Sequence, residues 1–125
     1  MRPLPGFVAL ACLASACAVT SVDGERMSVR SDAFADYVES VFRRQNEIAT
    51  ELALEIEDER AGNDRYAALE DAELDLLTAC RGLNELAEAR RDGERAGGPA
   101  ALRRARLAPD CERATNVAAA VLGRE

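Results

Sequence analysis

The chain has 125 residues, a formal net charge of −7, no histidine and no lysine, so its sixteen basic residues are all arginine. An acidic chain is a poor partner for nucleic acid, and a chain without histidine has no imidazole base for acid–base catalysis. The sequence also contains no phosphate loop, nucleotide fingerprint or calcium loop. It therefore predicts a protein that is not an enzyme and that has no cofactor, no metal site and no nucleic-acid partner.

The chain opens with the layout of a secretory signal peptide, which we predict to cover residues 1–16. Arg2 follows the initial Met1, and the apolar run from Phe7 to Leu13 is too short to span a bilayer as an anchor helix. The small residues Ala14-Ser15-Ala16 fit ordinary signal cleavage. On this pattern alone, the mature protein is secreted without a lipid.

A more specific pattern covers the end of this segment. Leu13-Ala14-Ser15-Ala16-Cys17 resembles the lipobox of bacterial lipoproteins, in which small residues directly precede a cysteine. The resemblance implies that the Cys17 thiol is acylated, that residues 1–16 are removed, and that the lipid attaches the protein to a membrane. Ala18, directly after the cysteine, then favours the outer membrane, where the protein would face the periplasm.

The cysteine count favours the lipoprotein interpretation. Of the four cysteines, Cys12 lies in the segment that is removed and Cys17 carries the lipid. Cys80 and Cys111 then remain as an even pair in an oxidising compartment, where disulfides persist. Redox catalysis and metal binding are weaker alternatives, because catalytic dithiols lie close in sequence and zinc sites need more than two ligands. The sequence predicts a structural Cys80–Cys111 disulfide.

The remaining residues have the composition of an all-α protein. Alanine, leucine, glutamate and arginine dominate, and aromatic residues make up only 4% of the chain. Residues 17–30 show neither a helical nor a strand period. We predict a lipidated N-terminus and flexible tether over residues 17–30, followed by a helical domain over residues 31–125.

The helical domain is predicted to begin with two long helices joined by a tight turn. Ser31 caps the first helix, which runs to about Arg60, and Asn63 caps the second, which runs to about Arg91. Gly62 stops the first helix. Because the connection is so short, the two helices form an antiparallel hairpin, in which the numbers of facing residues sum to about 124.

A shorter third helix follows a polar, glycine-rich connection over residues 94–98. Pro109 interrupts it, so we expect either a kink or two pieces, Pro99–Leu107 and Pro109–Leu122. Cys111 and Ala118 lie on one face of the second piece, which allows close packing against the hairpin. The expected architecture is a three-helix bundle with the disulfide between helices 2 and 3.

Polar residues interrupt the apolar stripes of the hairpin at one level. Gln45 lies on the stripe of the first helix, opposite Ala79 and Cys80 by the sum rule, with Asn84 one turn away and Arg44 beside it. One interpretation is a binding notch for a peptide or an anionic group, formed by Arg44, Gln45 and Asn84. The favoured interpretation is a buried amide that fixes the register of the helices. Gly82, at the same level, marks either a bend or close packing against the third helix.

These observations lead to one preferred function and two alternatives. The preferred function is a small, non-catalytic, periplasm-facing lipoprotein that serves as a helical accessory or interaction module, docking on an envelope protein or on itself. The first alternative is an acidic binding or inhibitor protein for a basic periplasmic partner such as a wall hydrolase, which a negative surface would attract. Catalysis by carboxylates alone, in runs such as Glu70 and Asp71, is the weakest hypothesis.

Overall fold

A computed structural model describes residues 18–93 and 98–124 of the chain. In these residues two strands precede four helices: β1 (Ala18–Thr20), β2 (Arg26–Ser28), α1 (Asp32–Asp58), α2 (Asp64–Arg91), α3 (Pro99–Ala105) and α4 (Ala108–Val121). The mostly helical architecture confirms the predicted class, to which the structure adds a small two-stranded sheet. The predicted signal peptide and Cys17 lie outside the described residues.

The two strands correct the prediction of an unstructured tether over residues 18–30. β1 and β2 pair antiparallel, with Val19 opposite Met27, and the connecting turn is closed by a hydrogen bond from the Ser21 amide to the Glu25 carbonyl at 2.9 Å. Each strand has three residues and turns one buried side chain toward the helices. A strand this short produces no visible alternation in the sequence, so periodicity does not reveal it.

Apolar packing at the N-terminal end of α1 holds the β-hairpin in place. Apolar side chains of the β-hairpin and of the residue after it form a buried cluster with one residue from each of three helices. The cluster comprises Val19, Met27 and Val29 with Phe34 of α1, Leu86 of α2 and Ala105 of α3. An isolated two-stranded hairpin is marginal in water, so this contact with the helices supplies its stability. Residues 18–30 are therefore part of the folded body.

The starts of the two long helices are those that the sequence predicts. The Ser31 hydroxyl accepts a hydrogen bond from the Phe34 amide at 3.1 Å, and the Asn63 side-chain oxygen accepts one from the Tyr66 amide at 2.7 Å. These caps satisfy amides that lack a partner within the first turn of a helix. Between the helices, Gly62 adopts a φ of +90°, a conformation that glycine reaches without strain.

The main core lies where α1, α2 and α4 meet. Its buried members are Val41, Ile48 and Leu52 of α1, Leu69, Ala72, Leu76, Cys80 and Leu83 of α2, and Ala108, Cys111, Ala118 and Ala119 of α4. Near the turn Arg65 of α2 contacts Glu55 of α1 at 3.2 Å, and far from it Asn84 contacts Gln45 at 2.7 Å. The contacts thus run in opposite directions along α1 and α2, as in an antiparallel pair.

The third helix is divided into α3 and α4, one of the two outcomes predicted from Pro109. Pro109 lies in the first turn of α4, where its missing amide proton removes no helical hydrogen bond. The junction between α3 and α4 packs closely on α2 at Gly82. A methyl group at Gly82 would lie 2.9 Å from the Leu107 Cδ1 atom, so the absence of a side chain allows this approach. Of the two interpretations of Gly82, the structure supports close packing.

The disulfide joins α2 to α4 at the centre of the core, as predicted. The Cys80 and Cys111 sulfurs are 2.06 Å apart, their Cα atoms are 4.6 Å apart, and neither residue is accessible to solvent. The bridge spans a sequence separation of 31 residues. On the chain-entropy model, closing such a loop stabilises the fold by about 3 to 4 kcal/mol.

We predict that the double variant Cys80→Ala with Cys111→Ala lowers the free energy of unfolding by about 3 kcal/mol under oxidising conditions. The unfolded chain regains the freedom that the crosslink removes, while alanine leaves no buried polar group. Urea unfolding monitored by circular dichroism measures the difference. After reduction, the wild-type chain and the variant should unfold at nearly the same urea concentration; a gap that persists would mean that thiol packing, and not the crosslink, accounts for the effect.

Candidate functional site

The structure brings together two of the three residues of the predicted notch. Gln45 is 1% exposed, and its side-chain amide donates a hydrogen bond to the Asn84 side-chain oxygen at 2.7 Å. Arg44 takes a different direction, since its guanidinium donates to the side-chain oxygen of Asn116 on α4. The predicted notch is therefore divided into an amide pair between α1 and α2 and an arginine contact between α1 and α4.

The Gln45–Asn84 bond departs from the sum rule for a geometric reason. Side chains of an α-helix lean toward its N-terminus, so in an antiparallel pair they lean away from the turn on α1 and toward the turn on α2. Two long side chains therefore meet when the α1 residue lies nearer the turn than its α2 partner, as Gln45 does relative to Asn84. The rule placed Gln45 opposite Ala79 and Cys80 because it considers backbone levels alone.

A second polar cluster, which the sequence analysis did not identify, lies between α1, α4 and the β-hairpin. The Tyr37 hydroxyl donates to a Glu112 carboxylate oxygen at 2.6 Å, and the Val22 amide donates to the same oxygen at 3.2 Å. Tyr37 and Glu112 line a cavity of about 60 Å³ together with Ser40, Val41, Arg44 and Thr115. Glu112 thus connects three parts of the fold from a position next to the disulfide.

Burial and the neighbouring carboxylate raise the pKa of Tyr37 well above its usual range. Burial of the phenol is the largest cause, followed by its hydrogen bond to Glu112 and the negative charge of that carboxylate. A phenol in this setting stays protonated and acts as a hydrogen-bond donor, not as a base. One signal in the sequence was available, because Tyr37 follows Phe34 by three residues and precedes Val41 by four, on the apolar side of α1.

An open groove of about 400 Å³ runs between α1 and α2 on the surface of the body. Its lining is mostly apolar, and its three charged residues all come from α1; the residues are Ala35, Asp36, Val38, Glu39, Phe42, Arg43, Leu83, Leu86 and Ala87. Glu39 and Arg43 form an ion pair within one turn of α1. The groove has the shape and chemistry to accept apolar side chains.

Comparisons with protein-family models, curated proteins and solved structures find no match to this chain. Within residues 18–93 and 98–124, no helix combines the length and the apolar character that crossing a membrane requires. In the same part of the chain, no three acidic or cysteine side chains come together in a way that could hold a metal ion.

We predict strong coupling between Gln45 and Asn84 in the free energy of unfolding. Asn84→Leu leaves the buried Gln45 amide without this partner and should destabilise the protein by about 1 to 3 kcal/mol. Gln45→Leu should cost less, because Asn84 is only partly buried. The double variant should be more stable than the sum of the two changes predicts, since it leaves neither amide unpaired. Additive effects in a double-mutant cycle would contradict a register-fixing pair.

We also predict that stability declines in alkaline solution through Tyr37. An unfolded tyrosine loses its proton near pH 10, whereas folded Tyr37, with its raised pKa, retains it. The unfolded state therefore binds fewer protons, and the free energy of unfolding falls as the pH rises above about 9.5. The stabilisation that comes from the raised pKa of Tyr37 is fully present below that pH.

Denaturant unfolding between pH 8 and pH 11 tests this expectation, and Tyr37→Phe should flatten the decline. Tyr66→Phe is the matched control, because the pKa of Tyr66 is raised mainly by one hydrogen bond to Glu70. The control should retain the part of the decline that depends on Tyr37. If Tyr37→Phe leaves the decline unchanged, Tyr37 is not the group responsible.

Proposed function

We propose that this chain is a lipid-anchored, non-catalytic helical module of a bacterial cell envelope. In this proposal residues 1–16 are removed as a signal peptide, and the acylated Cys17 holds the body at the outer membrane, facing the periplasm. The body then binds an envelope protein or a second copy of itself. Its role is to recruit or position a partner, with no reaction of its own.

The observation that carries the proposal is the buried Cys80–Cys111 disulfide. Disulfides of this structural kind form and persist outside the reducing cytosol. Since both sulfurs are inaccessible to solvent, the bridge is well suited to holding the fold and poorly suited to exchange with other thiols. A chain stabilised in this way needs a route out of the cytosol, and the lipobox-like segment that ends at Cys17 would provide one.

The polar clusters support a binding role more than a catalytic one. In each cluster the polar groups bond to one another, as Gln45 does to Asn84 and Tyr37 does to Glu112. Groups engaged in this way stiffen the packing between helices and present no free acid or base to a substrate. The apolar groove between α1 and α2 is the surface that we assign to the protein partner, because its lining can bury apolar side chains.

Mass spectrometry of the mature N-terminal peptide tests the proposed anchor. We expect Cys17 at the N-terminus with a diacylglyceryl group on sulfur, and we expect Cys17→Ser to move the protein from the membrane fraction to the soluble fraction. An unmodified Cys17, or a mature chain that begins at Ala18, would remove the anchor from the proposal.

Site-specific photocrosslinking in intact cells tests the interaction role. A photoreactive residue at Phe42 in the groove should give one discrete adduct, either with another envelope protein or with a second copy of the chain. Leu74 is the matched control, because it is 65% exposed on α2 and is not part of the groove lining. Equal crosslinking from both positions, or none from Phe42, would contradict docking in the groove.

A further inference from the structure

One side of α2 exposes four residues at helical spacing, which we call the α2 stripe: Glu70, Leu74, Leu77 and Arg81. All four are exposed, and the exposed fractions of Leu74 and Leu77 are 65% and 48%. Residues three and four apart are neighbours on the surface of a helix, so the stripe is one continuous strip. Its two adjacent leucines offer an apolar contact to another molecule.

The α2 stripe has the same spacing in both directions and opposite charges at its two ends. Successive members are four, three and four residues apart, with leucine in the middle, glutamate first and arginine last. When two such helices pack antiparallel, Leu74 of each copy meets Leu77 of the other. Glu70 of each copy then meets Arg81 of the other, at both ends of the contact. The stripe is therefore complementary to a second copy of itself.

The other charges of α2 favour the antiparallel arrangement over the parallel one. Residues 70–75 carry four carboxylates, whereas Arg81 is the one charged residue of the segment 76–81. A parallel pair would place the carboxylates of the two copies against one another. An antiparallel pair places them opposite the uncharged part of the second copy and its arginine, which replaces repulsion by attraction.

The two ends of the stripe are available for this contact. Glu70 and Arg81 are separated by about 16 Å along one helix, so they do not pair within a copy. Among residues 18–93 and 98–124, Arg81 takes part in no ion pair. Glu70 accepts a hydrogen bond from the Tyr66 side chain. An ionised carboxylate accepts several hydrogen bonds, so Glu70 can still receive an arginine.

The part of α1 beside the stripe adds no charge to this face. Leu77 lies two turns before Asn84, which bonds to Gln45, so the stripe borders α1. Helical spacing places Asn46 and Thr50 on the flank of α1 that faces away from α4. Their side chains donate to carbonyl groups of their own helix. The charges at the two ends of the stripe thus decide which surface it fits.

We propose that two copies of this chain form a dimer through the α2 stripe, with their α2 helices antiparallel. Leu74 and Leu77 of both copies make an apolar patch, and a Glu70–Arg81 ion pair between the copies closes each end. This face is separate from the groove between α1 and α2, and the contact does not require acylation of Cys17. It covers about three turns of helix, so the dimer is weak, and confinement of both copies to a membrane would strengthen it.

Charge reversal in the full chain tests the dimer, with Cys17→Ser in every sample so that no acyl chain contributes. Glu70→Arg alone and Arg81→Glu alone each place like charges at both ends of the contact, and each should weaken self-association by about 10- to 100-fold. An equimolar mixture of the two variants restores both opposite-charge pairs and should associate as strongly as the unreversed chain. Sedimentation velocity over a concentration series measures the fraction of dimer.

General repulsion between acidic chains predicts a different result, because Glu70→Arg makes the net charge less negative and should then strengthen association. Failure of the mixture to associate better than either variant alone would overturn the proposal. Residues 1–16 are identical in all samples, so association through them does not produce a difference between samples.

Leu74→Gln removes apolar contact without changing charge and should also weaken the dimer. Leu54→Gln is the matched control, because Leu54 is a leucine of similar exposure, 57%, on α1 and outside the stripe. The control should dimerise like the unaltered chain, and circular dichroism should show that both variants are folded. Equal weakening by the two substitutions, or none by Leu74→Gln, would contradict a contact at the stripe.

In intact cells, a photoreactive residue at Leu74 would capture a second copy of the chain through this face. The comparison of Leu74 with Phe42 is therefore made in the Arg81→Glu background, where the dimer does not form and Leu74 serves as the control for the groove. A groove adduct at Phe42 that persists in this background would support the interaction role independently of the dimer.

Discussion

The fold depends on the close contact of α4 with the pair of long helices, at the point where the disulfide crosses. Small residues of α4, Ala108, Cys111 and Ala118, are fully buried there and let the helices approach closely. The crosslink contributes on the order of 3 to 4 kcal/mol, a large share of the 5 to 10 kcal/mol expected for a domain of this size. The polar contacts of Tyr37 and Arg44 are made possible by this approach, because each reaches a residue of α4.

The two polar clusters give the bundle directional contacts that its alanine-rich core lacks. Apolar surfaces of similar size slide past one another at little cost, whereas a buried amide or carboxylate without its partner is expensive. Gln45 bonds to Asn84 between α1 and α2, and Glu112 of α4 accepts hydrogen bonds from both α1 and the β-hairpin. Together they favour one arrangement of the elements, in which the groove between α1 and α2 stays open on the surface.

Much of the helical body was predictable, because caps, breakers and cysteines act locally or in pairs. Ser31 and Asn63 cap helices as expected, Pro109 divides the third helix, and Cys80 and Cys111 are bonded. The β-hairpin and the Tyr37–Glu112 contact were not predicted. Both depend on which elements meet in space. Val19 and Met27 are buried only because the helices form a surface for them. Glu112 contacts Tyr37, from which it is separated by 75 positions in sequence.

Under the proposed N-terminal anchor, the short sheet has a mechanical consequence. Ala18 and Ser28 form the pair at the open end of the β1–β2 ladder, so tension on the N-terminus would open the ladder one residue pair at a time. The disulfide would not resist this opening, since it joins α2 to α4 and does not cross the ladder. Fully extended, residues 18–31 would span about 45 to 50 Å. In that case the segment would act as a tether that is folded at rest and lengthens under tension.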